Sequence, residues 1–197
     1  MIHTDGIPIV AIHSRAEWRN WLMANHARSK GVWLMSYKAA TGKPTITYAE
    51  GVMEALCFGW IDSKPNKFDE ERSLLYYSPR KPRSNWSGLN KVRVADLIEQ
   101  GLMTSAGQRM IDLAKETGTW TALDEVESVV IPADLQEALL ATPPAEENFS
   151  AFPKSTKQGI LQWILNAKRP ETRAKRILET ATLAAQNIRA NQFVKKT

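Results

Sequence analysis

ALCFGWIDSKPNKFDEERSLLYYSPRKPRSNWSGLN, residues 55–90, is the stretch on which the fold turns. Trp60 to Phe68 and Ser73 to Ser78 have the aromatic and aliphatic content of strands. Asp69-Glu70-Glu71 joins them, so the stretch reads as a β-hairpin. Pro65 has no N–H for a ladder, which makes the first strand an edge strand or a bulged one. Pro79 and Pro82 then interrupt regular structure. Ser84 or Ser87 caps a helix running to Gln100, and Gly101 stands in the C′ position that favours left-handed geometry.

Upstream, Ser14-Arg15-Ala16-Glu17 has the form of a capping box, with Trp18, Trp21 and Leu22 on one helical face over about residues 15–26. Val32 to Tyr37 reads as a buried strand. Thr47-Tyr48-Ala49-Glu50 is a second capping box, opening a helix to about Phe58 that is apolar nearly all round. Downstream, Thr104 caps a helix that Gly118 ends. Val126 to Ile131 reads equally as a short strand or a loop. Pro132 suits the first turn of another helix, and Pro143-Pro144 breaks it. A short helical piece ends at Phe152-Pro153, a helix carries Ile160, Leu161 and Ile164, and Pro170 begins a last one running through Ile188. Gln192 to Thr197 is expected to fray.

The pattern predicts an α+β protein: a small antiparallel sheet of about three strands with helices in the N-terminal half, then a helical C-terminal half. The expected division is an α+β domain over 1–125 and a helical region over 126–197, packed on the first as one unit.

A chain of 197 residues buries enough surface to need neither disulfide nor metal. Cys57 is its single cysteine, which excludes an internal disulfide framework and fits a reducing compartment. No apolar run approaches the length of a membrane span. MIHTDGIPIV lacks the pattern of a signal peptide, so a cytoplasmic protein is expected. The net charge of +5 is unevenly spread. Residues 64–93 hold eight cations against three anions, residues 94–152 two against eleven, and residues 153–197 ten against two. Two basic segments thus flank an acidic middle that either neutralises them or leaves them free to attract anions.

Familiar catalytic patterns are missing. Thr41-Gly42-Lys43-Pro44-Thr45 fails as a phosphate-binding loop, because Tyr37 stands where its first glycine belongs and Pro44 where Ser or Thr would hold magnesium. A loop entering a helix can still hold an anion through its N–H groups. His3, His13 and His26 are too scattered for a metal, and Cys57 sits between apolar neighbours, as a core thiol does. No cofactor is implied and no catalytic residue is assigned. Asp62, following Trp60 and Ile61, is either an acid or base with a burial-shifted pKa or an ion-pair partner for Arg80 or Arg83.

SPRKPRSNWS, residues 78–87, combines prolyl stiffness, three cations, an indole and a helix start, a composition suited to fixing an anion. Its plainer reading is a rigid connector. On the last helix Arg173 and Arg176 share a face beyond Arg169, a surface able to meet nucleic-acid phosphates or simply to be solvated.

ALCFGWID, SPRKPRSNWS and KRPETRAKRI together resemble the YdeI/OmpD-associated, or bacteriocin-protection, family, from about Trp18 to Ile188. Ser63 stands where glycine is expected after WID, and Gly88 where lysine is usual. The resemblance implies a soluble bacterial protein linked by name to bacteriocin tolerance and an outer-membrane porin. It supplies no catalytic residue or cofactor. The expected function is therefore binding of an anionic small molecule or peptide in a cleft of Trp60, Asp62, Arg80, Arg83, Trp86 and Asn90. The alternatives are nucleic-acid binding by the two basic segments, including Arg169, Arg173 and Arg176, and a hydrolase or transferase using Asp62. The sequence leaves the oligomeric state open.

Overall fold

A computed structural model describes residues 6–191; His3, the MIHTD start and the fraying expected at Gln192 to Thr197 lie outside the described residues. The chain divides into two compact units, Met1–Thr121 and Ala122–Thr197, a few residues before the boundary expected from the sequence.

In the first unit the order is β1 (Ile9–Ala11), α1 (Arg15–Asn25), β2 (Val32–Tyr37), a 3₁₀ turn (Ala39–Thr41), α2 (Tyr48–Cys57), β3 (Trp60–Lys67), β4 (Arg72–Pro79), α3 (Gly88–Glu99) and α4 (Ser105–Glu116). The strands form one sheet in the order β1-β2-β4-β3. β2–β4 and β4–β3 pair antiparallel, whereas β1 lies parallel to β2. The sheet is thus four-stranded and mixed, where the sequence pointed to about three antiparallel strands. β1 escaped because three residues, Ile9-Val10-Ala11, are too few to show an alternation; pairing with β2 makes the strand. Pro65 explains β3: this is an edge strand, and its register on β4 shifts between Asp62 and Pro65.

The helix starts follow the capping chemistry. Ser14 Oγ accepts from Glu17 N–H, and Thr47 and Glu50 complete both halves of a capping box. Ser87 rather than Ser84 caps α3. Thr104 caps α4 and also donates its hydroxyl to Cys57 O at 2.6 Å. That bond brings α4 against the end of α2 at Gly107, where a Cβ would lie 2.4 Å from Cys57 O. Val32, Leu34 and Tyr77 on one sheet face then join Trp18, Leu22, Val52, Ala55 and Leu56 in a single core. Burying each of these large apolar side chains stabilises by roughly 2 kcal/mol before conformational entropy is counted. Glu54 is buried inside α2 and is held by Arg15 and Arg19, each at 2.6 Å.

The second unit is helical: α5 (Asp124–Glu127), α6 (Ala133–Leu140), α7 (Ala145–Ala151), α8 (Lys154–Leu165) and α9 (Pro170–Ala185). Val126 belongs to α5, so the ambiguous 126–131 stretch opens in a helix and continues as loop. α9 stops at Ala185 because Asn187 takes a left-handed conformation (φ 57°), leaving Ile188 beyond the helix and exposed. Leu135, Leu139, Phe149, Ile160 and Ala181 form its separate core.

Candidate functional site

β3 and β4 place Asp62 directly opposite Tyr77, and cross-strand partners point to the same face. Leu34 and Ser36 of β2 and Leu75 of β4 share that face by alternation. Where α2 begins, the sheet is left partly uncovered, and a hollow of about 670 Å³ opens. Leu34, Ser36, Leu75 and Tyr77 floor it, and Ile46, Tyr48 and Gly51 wall it on the helix side. Asp62, Ser63 and Pro65 of the bulged edge strand complete the opposite side. Apolar carbons dominate the lining, with a few convergent polar groups, the general character of small-molecule sites.

Two phenols define its chemistry. Tyr48 donates its hydroxyl to Asp62 Oδ2 at 2.9 Å. Tyr77 is buried to 1% exposure, and its hydroxyl makes no hydrogen bond among the described residues. Burial and the negative charge of Asp62 push both phenols above their ordinary pKa, so both remain protonated donors. Gly51 permits the arrangement: a Cβ there would lie 2.6 Å from the Tyr77 hydroxyl. Trp18 Nε1 donates to Gly51 O at 3.0 Å and its ring lies 5.1 Å from that of Tyr77, so the core fixes the phenol's position.

The α2 N-terminus and its lysine are already engaged. Thr47 and Glu50 satisfy each other's backbone N–H, and Lys38 Nζ donates to the carbonyls of Asp69 and Glu70. The anion-holding role open to the 41–45 loop therefore has few free donors to draw on.

Of the six residues expected to share a cleft, only Asp62 lines this hollow. Trp60 is buried, donates Nε1 to His26 O at 3.2 Å and meets the ring of Trp21 edge-on. Trp86 is buried beside Trp120. Arg80, 5% exposed, lies 3.8 Å over the Trp86 ring and donates Nη2 to Asn85 O at 2.7 Å. Its Nε has no partner among the described residues. Burial pulls its pKa down to about 10, against the opposing pull of Asp62. Among the described residues no carboxylate pairs with it, yet it is not open to solvent: the elbow is folded inward as a cation stacked on an indole. Arg83 is exposed. Asn90 sits in the first turn of α3, its N–H on Ser87 Oγ and its Oδ1 accepting from Arg93.

On α9, Arg169 is exposed. Arg173 makes two bonds to Asp134, at 2.7 and 2.9 Å, so one residue of the acidic middle does neutralise one of the basic segment. Arg176 donates to Trp163 O and lies 4.9 Å over that ring. Among the described residues no cluster of His, Cys, Asp and Glu is suited to a metal. Cys57 is buried, and burial raises its thiol pKa.

Sequence reasoning missed Tyr48, Gly51 and Tyr77. A glycine inside an otherwise apolar helix was the one legible signal, since such a position often marks a close approach.

The fold and site thus define an α+β domain with a small-molecule-sized hollow, followed by a helical region. Residues 10–110, just over half of the chain, match the family model of a domain of unknown function (DUF8412), and the chain belongs to that family. Residues 128–187 match the model described as Bacteriocin-protection, YdeI or OmpD-Associated, the family that the sequence motifs resemble. KRPETRAKRI lies within this second match, whereas ALCFGWID and SPRKPRSNWS lie within the first. Searches of curated proteins and of solved structures returned no match.

Proposed function

We propose that this protein, of bacteriocin-protection type by its second region, works as a small-molecule-binding protein whose ligand occupies the hollow between the sheet and the start of α2. The observation that carries the reading is the hydroxyl of the buried Tyr77, without a partner among the described residues, on the floor of an apolar cavity of about 670 Å³. Asp62 is the residue of the expected cleft that this reading retains. Anionic ligands are disfavoured by its carboxylate and by the engaged state of Lys38 and of the α2 start.

The test uses 1-aminoanthracene, an uncharged apolar fluorophore. Its emission should rise saturably on binding to the whole protein. Ser36→Trp, which fills the floor, should abolish the rise while the seven native tryptophans keep their thermal transition. A fluorophore signal that is absent, or unchanged in the Ser36→Trp protein, overturns the reading.

A further inference from the structure

The hollow has two polar poles of opposite hydrogen-bonding sense. At its floor the Tyr77 hydroxyl is a donor without an acceptor among the described residues. At its side Asp62 accepts the Tyr48 hydroxyl on Oδ2, and Oδ1 makes no hydrogen bond among the described residues. Leu34, Leu75 and Ile46 supply apolar surface around both poles. A hydroxyl that opens onto the hollow without a protein acceptor among the described residues is available to a ligand acceptor.

From these poles we propose, resting on the small-molecule reading above, that the ligand is an uncharged molecule with an apolar body and a secondary amide. Its carbonyl oxygen accepts from the Tyr77 hydroxyl, and its N–H donates to Asp62. A free ammonium can pair with Asp62 but leaves the Tyr77 O–H without an acceptor, and a carboxylate meets Asp62 with like charge. An ester satisfies Tyr77 and leaves Asp62 unused. Of these four groups the amide is the one that offers an acceptor to Tyr77 and a donor to Asp62.

Four probes of similar size separate these cases: N-benzylacetamide, benzyl acetate, N-ethylbenzylammonium and 3-phenylpropanoate. Affinities are read by NMR titration of the whole protein. N-benzylacetamide should bind about five-fold or more tighter than the other three, the equivalent of one uncharged hydrogen bond. Tyr77→Phe should weaken the amide and the ester alike by about five-fold. Asp62→Ala should weaken the amide and leave the ester within two-fold, roughly the spread expected without a lost bond. Without any probe, Tyr77→Phe should unfold at the same or a higher temperature than the parent, because it deletes only an unpartnered hydroxyl.

A preference for the cation or the anion overturns the amide assignment. So does an amide affinity untouched by Tyr77→Phe, a fall in thermal stability of the free variant, or failure of all four probes while 1-aminoanthracene still binds. Failure of the fluorophore as well is a different result, and it removes the small-molecule reading beneath this one.

Discussion

The two units bury different things. The second packs leucine, isoleucine, alanine and phenylalanine, and its buried polar residues are Thr156 and Thr180, the latter bonded to Arg176 O at 2.7 Å. The first buries Glu54, Arg80 and four tryptophans. All the buried side-chain nitrogens that lack a partner among the described residues, Arg15 Nη2, Trp33 Nε1 and Arg80 Nε, belong to it. Among the described residues the rules of buried-nitrogen pairing are kept in one unit and broken in the other, and such breaks gather where a protein does more than fold. The hollow beneath Tyr77 lies in the unit that breaks them.

The sharpest way to break this comparison is to damage one core and watch the other. Phe149 is fully buried at the centre of the second core. Phe149→Ala should destabilise that unit by about 4 kcal/mol, the usual loss for deleting a buried ring. Labelling with 5-fluorotryptophan gives seven ¹⁹F reporters, of which only Trp163 lies in the second unit. Its resonance should melt at a lower temperature while the other six keep theirs. A common shift of all seven would mean that the cores do not stand apart as described.

A somewhat smaller effect is expected from the first unit at Gly107. The Cβ of Gly107→Ala falls 2.4 Å from Cys57 O and 2.7 Å from Leu56 O, and backbone carbonyls cannot swing aside as a side chain does. Overpacking of this kind should cost about 3 kcal/mol and move the six first-unit ¹⁹F signals, leaving Trp163 in place. A variant as stable as its parent would show that α4 is free to retreat from α2.

These two sites also show how far the sequence speaks. The hairpin, the capping boxes at Ser14 and Thr47 and the bulge at Pro65 were legible because each follows from neighbours in the chain. β1 was not, because a three-residue strand exists only through its pairing with β2. The candidate site was the least legible part. SPRKPRSNWS has the composition of an anion-binding elbow, but composition does not tell which way a side chain turns. Arg80 and Trp86 turn inward and stack on each other. Asp62 was picked out, yet its partners Tyr48 and Tyr77 stand 14 positions before it and 15 after it. Helix capping and strand register bring them together, and neither pairing leaves a mark in local sequence.

The smallest expected effect concerns the charged face of the second unit. Arg173 holds the Asp134 carboxyl below its ordinary pKa, chiefly by direct hydrogen bonding. A carboxyl lowered on folding stabilises the native state fully above its unfolded pKa of about 3.9, and the stabilisation is lost as pH falls through the lower folded value. Asp134 and Arg173 side chains are 47% and 32% exposed, so solvent screening reduces the pair to about 0.5 kcal/mol. Arg173→Gln should therefore lower the midpoint of the Trp163 signal by about 2–4 °C at pH 7. Near pH 2.5 the difference should shrink, because the carboxyl approaches protonation in both proteins and the cation has progressively less to hold. An undiminished difference at low pH would assign the role of Arg173 to packing rather than charge. An effect of about 10 °C at neutral pH, roughly 2 kcal/mol, would mean that this pair is shielded from solvent, and the second unit would then share the buried-charge character that sets the first apart.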